Sequence, residues 1–171
     1  SHGNQLWVAR YNGPENSFDM ASSVVTDGDS NIYVSGITTG PTVISGSIGR
    51  TGDLDLITIK YDKMGTELWS SRYNTGTNAT WFQGLAMDNK SNIYVTAITS
   101  NMGKGMTYFT FKYDTTGKEQ WMIRHDIPVW AVTGDREGNT YIAGGQRGEN
   151  EQADLVIVKY PPEVKAFQER R

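Results

Sequence analysis

Apolar and polar positions alternate in short runs along this chain, and the runs recur in one order three times. In "ITIKYD" (57–62), Ile57, Ile59 and Tyr61 point one way and Thr58 and Lys60 the other. The same phase returns in Phe109, Phe111 and Tyr113, and again in Val156, Val158 and Tyr160. In "LWVARY" (6–11), Trp7, Ala9 and Tyr11 share a face. A period of two over a few residues predicts half-buried β-strands. Turn residues punctuate the runs. Gly-Asp-Ser separates the runs 23–27 and 31–37, and Asn-Lys-Ser (89–91) and Arg-Glu-Gly (136–138) stand in its place later, which is hairpin chemistry.

Setting the tryptophans in register exposes one unit written three times. "GNQLWVARYN" (3–12), "GTELWSSRYN" (65–74) and "GKEQWMIRHD" (117–126) share Gly-x-x-x-Trp-x-x-Arg. "TDGDSNIYVSG" (26–36), "MDNKSNIYVTA" (87–97) and "GDREGNTYIAG" (134–144) share Asp-x-x-x-Asn-x-Tyr. "DLITIKYD" (55–62), "YFTFKYD" (108–114) and "DLVIVKY" (154–160) all carry Lys-Tyr. Each unit is therefore expected to hold four short strands: an outer one around the Trp, an inner one before the Asp, a second around Asn-x-Tyr and a third at Lys-Tyr. Four-stranded units repeated every ~40–60 residues with a tryptophan in each predict β-propeller blades, which come in rings of ~4–8. A β-sandwich gives no reason for a threefold repeat. The expected class is all-β, with three blade repeats over 3–160 (3–64, 65–116 and 117–160) and a C-terminal tail at 161–171.

The turn "YDKMG" joins a third strand to an outer strand. Trp69 thus closes the sheet whose third strand ends at Lys60-Tyr61, and Trp7 belongs to a blade whose other strands lie elsewhere. After the last third strand, Pro161-Pro162 replaces the turn aspartate and cannot supply the same hairpin. Two arrangements follow. Further blades complete a larger propeller, or two chains form a homodimer with a six-bladed ring, each N-terminal outer strand completing the partner's last blade. The complementary ends favour the second.

Composition narrows the function classes. The 171 residues suffice for one ordinary core, and a net charge of −3 without a basic stripe argues against a nucleic-acid partner. No apolar run approaches the ~20 residues of a membrane span. Cysteine is absent, which excludes disulfides, thiol catalysis and Cys-based zinc sites.

"KYD-x-x-G-x-x-x-W" followed by "D-x-x-x-N-x-Y-V-x-G" resembles the bacterial SBBP-type β-propeller repeat, and the resemblance covers nearly the whole chain. It implies a cell-surface, periplasmic or secreted location. "DTTGKEQW" (114–121) is also similar to the tryptophan-docking motif of quinoprotein-type propellers, in which the ring stacks on the neighbouring blade; Lys112 stands where that motif has alanine.

Residues that repeat in every unit are expected to serve the blade: Trp7, Trp69 and Trp121 between blades, Tyr33, Tyr94 and Tyr141 inside them, and Asp27, Asp88 and Asp135 as acceptors for turn N–H groups. Ion pairs with these turn aspartates would account for the recurring Arg10, Arg72 and Arg124 and for Lys60, Lys112 and Lys159. Ligand contacts are expected from what does not repeat. Trp81 and Trp130, just ahead of the inner strands, suit sugar stacking or a protein hot spot, and Asp19 precedes the first inner strand. Asp27, Asp29 and Asn31 alternate as at the start of an EF-hand loop, but the glycine at the sixth position and the glutamate at the twelfth are missing, so a hairpin explains them better than a metal site. His125 stands where Tyr11 and Tyr73 stand and reads as a packing variant. The connector 38–53 is nine residues longer than its counterparts and Gly-rich, a natural place for a binding loop. "NKS" (89–91) and "NAT" (78–80) match the glycosylation sequon.

No Ser-His-Asp or zinc spacing and no cofactor motif is visible. The first expectation is a non-catalytic scaffold that engages a protein or carbohydrate partner. The alternatives are a propeller hydrolase, lyase or quinoprotein-like enzyme working at the channel mouth, and a purely structural spacer.

Overall fold

A computed structural model describes residues 3–16, 18–39, 54–74, 79–101, 105–147 and 152–164. The strands among these residues form three antiparallel sheets, each ordered as its strands follow in the chain. Blade A contains β1 (Asp19–Thr26), β2 (Ile32–Thr39), β3 (Leu54–Tyr61) and β4 (Glu67–Tyr73). Blade B contains β5 (Ala79–Met87), β6 (Ile93–Asn101), β7 (Gly105–Tyr113) and β8 (Glu119–His125). Blade C contains β9 (Val129–Gly134), β10 (Thr140–Arg147) and β11 (Ala153–Tyr160), with no fourth strand among the described residues. Trp69 does lie on the strand that closes the sheet of the preceding Lys60-Tyr61, since Lys60 pairs with Trp69. The connector residues 40–53, Asn78 of the second sequon and the tail from 165 onward lie outside the described residues.

One turn geometry is used five times. At Asp27, Asp62, Asp88, Asp114 and Asp135, the Asp N–H donates to the carbonyl four residues on, and the N–H three residues on donates back to the Asp carbonyl. The residue at that third position takes a left-handed φ each time: Ser30, Gly65, Ser91, Gly117 and Gly138. This is a type I turn followed by a left-handed residue, a compact connection for twisted strands. The Asp side chain locks it by accepting backbone N–H bonds from residues two and four further on. A sixth such turn would fall at Pro161, but proline has no N–H to give and the chain leaves the sheet.

The main core lies between blades A and B. Alternation sends Tyr33 and Leu56 from blade A toward Ile93, Val95, Ala97, Phe111 and Tyr113 of blade B, all buried. Trp69 and Tyr73 extend this contact, with Tyr73 centred 4.7 Å from Phe111. A second cluster, Ile57, Ile59 and Tyr61, occupies the opposite face of blade A and is covered by Ala9 and Tyr11.

The N-terminal segment departs from the sequence reading. "LWVARY" is expected as a strand, yet residues 3–12 pair with no strand among the described residues. The segment lies against the face of blade A, at the place an outer strand of a preceding blade would take. Among the described residues no third strand lies beside it, so its ladder groups have no strand to pair with there.

Candidate functional site

Each inner strand carries a β-bulge at the same level. Ser22 is skipped between Ala21 and Ser23, Gln83 between Phe82 and Gly84, and Trp130 between Val129 and Ala131. A bulge adds a residue to one strand and re-aims its side chain. It also resets the alternation of apolar and polar positions. For that reason Asp19, Trp81 and Trp130, read as lying ahead of the inner strands, are in fact within them. Trp81 is 46% exposed and Trp130 56% exposed. Trp81 pairs with Ile98 as Met20 pairs with Ile37, so these two occupy equivalent places in their blades. The Trp130 ring covers Gly145, where a Cβ would come within 2.6 Å of it. Asp19 is half-buried and accepts from Gly13 N and from the Thr38 hydroxyl, tying the entry loop to β2.

The repeated polar residues form a lock inside each blade. Oδ2 of Asp27 accepts from Asn31 Nδ2 and the Tyr33 hydroxyl. Asp88 does the same with Asn92 and Tyr94, and Asp135 with Asn139 and Tyr141. Both oxygens of Asp27 are therefore engaged by the turn, and Asp29 contributes only its backbone N–H to that carboxylate. Burial pulls the Asp27 pKa up, but the donors from Asn31, Tyr33 and Asp29 outweigh it and the net direction is down. At Asp135 the Asn139 amide leads, and the pKa falls to about 2. Among the described residues no three His, Asp or Glu side chains cluster as a metal would need.

The basic repeats pair differently from expectation. They do not meet the turn aspartates. Lys60, Lys112 and Lys159 extend over the rings of Tyr33, Tyr94 and Tyr141, with Nζ 4.9, 5.2 and 5.3 Å from the centroids. The register explains it, because each Lys lies directly across from that Tyr and both leave the sheet on one side. Arg72 meets the buried Asp55 at the start of β3, with Nε 2.8 Å from Oδ2. The signal was visible in the chain: "DL" opens both "DLITIKYD" and "DLVIVKY".

Blades couple through their tryptophans. Trp69 Nε1 donates to Thr115 O at 3.0 Å, and its ring lies over Gly117 in the outer turn of blade B. Trp7 repeats this on blade A, donating to Lys63 O at 3.1 Å with its ring over Gly65. Trp69 and Trp7 thus each dock on the outer turn of a blade, Trp69 on the one that follows its own. Trp121 is buried, and among the described residues its indole N–H has no acceptor; the blade C turn equivalent to those used by Trp69 and Trp7 is the one where Pro161 and Pro162 stand.

Among the described residues the two end faces of the stack are incompletely covered. A cavity of about 270 Å³ lies on the face of blade A between the N-terminal segment and the sheet, lined by Trp7, Tyr11, Ala21, Val34, Ile57 and Ile59. At the other end Leu155 and Ile157 of β11 are 79% and 65% exposed, on the same side of blade C as Trp130. The sequence reading found the unmatched strands at both ends but not these apolar faces, since a strand buried on both sides looks the same as one still waiting for a neighbour.

Stacked antiparallel sheets joined by an outer-strand tryptophan are β-propeller blades. No protein-family model matches the chain. An alignment 101 residues long that covers 54% of the chain is 31% identical to an uncharacterized WD repeat-containing protein of Acanthamoeba polyphaga mimivirus. It covers 7% of that protein, so the chain spans a small part of the relative it matches. Among the described residues no helix is long and apolar enough to cross a membrane.

Proposed function

We propose that this chain is a non-catalytic β-propeller scaffold, of the SBBP-type repeat class, that engages a protein or glycan partner outside the cytoplasm. The observation that carries the reading is the exposure of Trp81 on β5, the inner strand of blade B. Nothing in the blade needs an indole there, since the equivalent position in blade A is Met20. Large apolar side chains left in water at a rigid position are the usual anchors of protein hot spots and sugar-stacking platforms. A repeat-bearing relative is compatible with an interaction role. Residues common to every blade are already consumed by turns and blade contacts, which leaves the non-repeating surface for recognition.

The test is binding of the chain and of Trp81→Ala to an immobilised glycan panel and to a panel of purified extracellular proteins. The expected result is a ligand bound by the parent chain and held at least ~10-fold more weakly by Trp81→Ala, with little change in melting temperature. Binding that is indifferent to Trp81→Ala would remove this site, and turnover of a panel glycan would replace the scaffold reading with an enzymatic one. The scaffold is expected to work as a closed ring of two chains.

A further inference from the structure

We infer that the free edge of β11 and the free face of blade A are the two halves of one interface, filled by a second copy of this chain in a fixed register with an Arg10–Asp154 ion pair. The inference deepens the scaffold reading by naming how the ring closes.

The chain itself supplies the template, because it mates the same surfaces internally. In blades A and B the third and outer strands pair with Lys opposite Trp: Lys60 with Trp69, and Lys112 with Trp121. The edge of β11 carries the third Lys, Lys159, and has no partner strand among the described residues. The segment 3–12 carries the matching Trp7 and lacks a third strand beside it. Trp7 is already docked as an outer-strand tryptophan should be, in the turn of the following blade. A second copy's β11, laid beside this segment with Lys159 opposite Trp7, places Val158 opposite Val8, Ile157 opposite Ala9 and Leu155 opposite Tyr11.

Charge agrees with that register. Within blade A, Ile57 pairs with Arg72, and Arg72 binds Asp55 two residues before Ile57. The same offset sets Val156 opposite Arg10 and brings Arg10 to Asp154. Both are exposed and neither has an ion-pair partner among the described residues. Blade B has Thr107 at the acidic position, so the pair is not a general property of the repeat.

Size agrees as well. Where blade B presents Phe82, Phe109 and Phe111 to blade A, the equivalent face of blade A has Ala21, Ile57 and Ile59, and the cavity lies there. Where blade A has Ser22 and the buried Thr58, blade C has Trp130 and Ile157 at the equivalent places. The larger side chains belong to the face that would meet the smaller ones. Two copies make six blades, within the ~4–8 of known rings, and closure gives β11 the fourth strand that its edge lacks, leaving only the short, protected edges of a propeller.

The experiment is sedimentation equilibrium on the chain, on Arg10→Asp, on Asp154→Arg and on a mixture of the two variants. The parent is expected at twice the 19.0 kDa of one chain. Each variant alone should dissociate at least ~10-fold more readily, because both of its interfaces then set like charges together. Circular dichroism should be unchanged, since both residues are exposed. The mixture should recover the parent's dimer strength. In a mixed pair one interface carries both substitutions, with the two charges exchanged, and the other carries neither, so opposite charges meet at both. An intact chain that stays monomeric, single variants that dimerise like the parent, or a mixture no stronger than its components would each overturn the inference. Open-ended growth beyond two chains would overturn ring closure. None of these outcomes bears on Trp81, so the scaffold reading stands or falls separately.

Discussion

The indole N–H of Trp69, on the outer strand of blade A, donates to the carbonyl oxygen of Thr115 in the outer turn of blade B, 3.0 Å away. One side chain thus ties two sheets together where their strands share no hydrogen bonds. Its ring also meets Tyr33 edge-on at 6.0 Å, so it packs on its own blade and on the next. Replacing Trp69 or the buried Trp121 by Ala is expected to cost about 3–5 kcal/mol each. Trp7→Ala should cost less in an isolated chain, because Trp7 is 39% exposed there. Urea denaturation of the three variants checks the order, and equal losses would mean that the Trp7 environment is already complete.

The left-handed position of the recurring turn makes a second prediction with both signs. Ser91 holds φ 60°, where a side chain is strained, so Ser91→Gly is expected to stabilise by about 0.5–1 kcal/mol. Gly117 holds φ 84° beneath Trp69, and a Cβ there would meet the ring at 2.7 Å. Gly117→Ala should therefore destabilise by about 2 kcal/mol or more, through backbone strain and through displacement of the ring. Gly138→Ala, with a similar φ but only Pro162 nearby at 3.4 Å, should cost about 1 kcal/mol. Thermal melts of the three variants rank these effects, and a Gly117→Ala no worse than Gly138→Ala would count against the ring contact.

The blades were legible because the repeat writes each contact several times: Asp-x-x-x-Asn-x-Tyr is a turn lock, and Lys-Tyr is a lysine laid over a cross-strand ring. What was not legible depends on neighbours rather than on pattern. The bulges at Ser22, Gln83 and Trp130 add a residue without leaving a mark in composition, so Trp81 and Trp130 read as lying ahead of strands that contain them. The Arg72–Asp55 pair escaped because its partners lie on different strands and the nearer aspartates belong to turns. The state of "LWVARY" could not be read at all, since its alternation says that it can be a strand and only a neighbour decides whether it is one.

Tyr94 and Asp88 make a third prediction. The Tyr94 ring is fully buried, and its hydroxyl donates to a carboxylate oxygen 2.9 Å away. Burial, reinforced by Asp88, raises the phenol pKa, so it remains a donor. Tyr94→Phe leaves that oxygen one donor short in a dry site and is expected to cost about 2 kcal/mol. Tyr141→Phe removes the same bond from the half-buried Asp135, where water can replace it, and should cost less. Chemical denaturation of both variants gives the comparison, and equal losses would show that burial does not set the strength of the lock.

His125 makes the last prediction, on pH. It ends β8 with Nε2 2.7 Å from Thr110 Oγ1 and Nδ1 3.1 Å from the Tyr160 hydroxyl of β11, and so joins blade B to blade C. Burial lowers its pKa from 6.5 to about 4, against the weaker opposing pull of Asp126. Between these values the unfolded chain binds a proton at this site and the folded chain does not. Stability from the neutral imidazole is therefore fully present above pH ~6.5 and is lost as pH falls toward ~4, where the folded state also protonates. The loss should be on the order of 2–3 kcal/mol. His125→Tyr, which restores the residue type of Tyr73 at the equivalent position, is expected to flatten this part of the profile. Urea midpoints measured from pH 8 to pH 4 for both proteins decide it, and parallel profiles would place the acid sensitivity elsewhere.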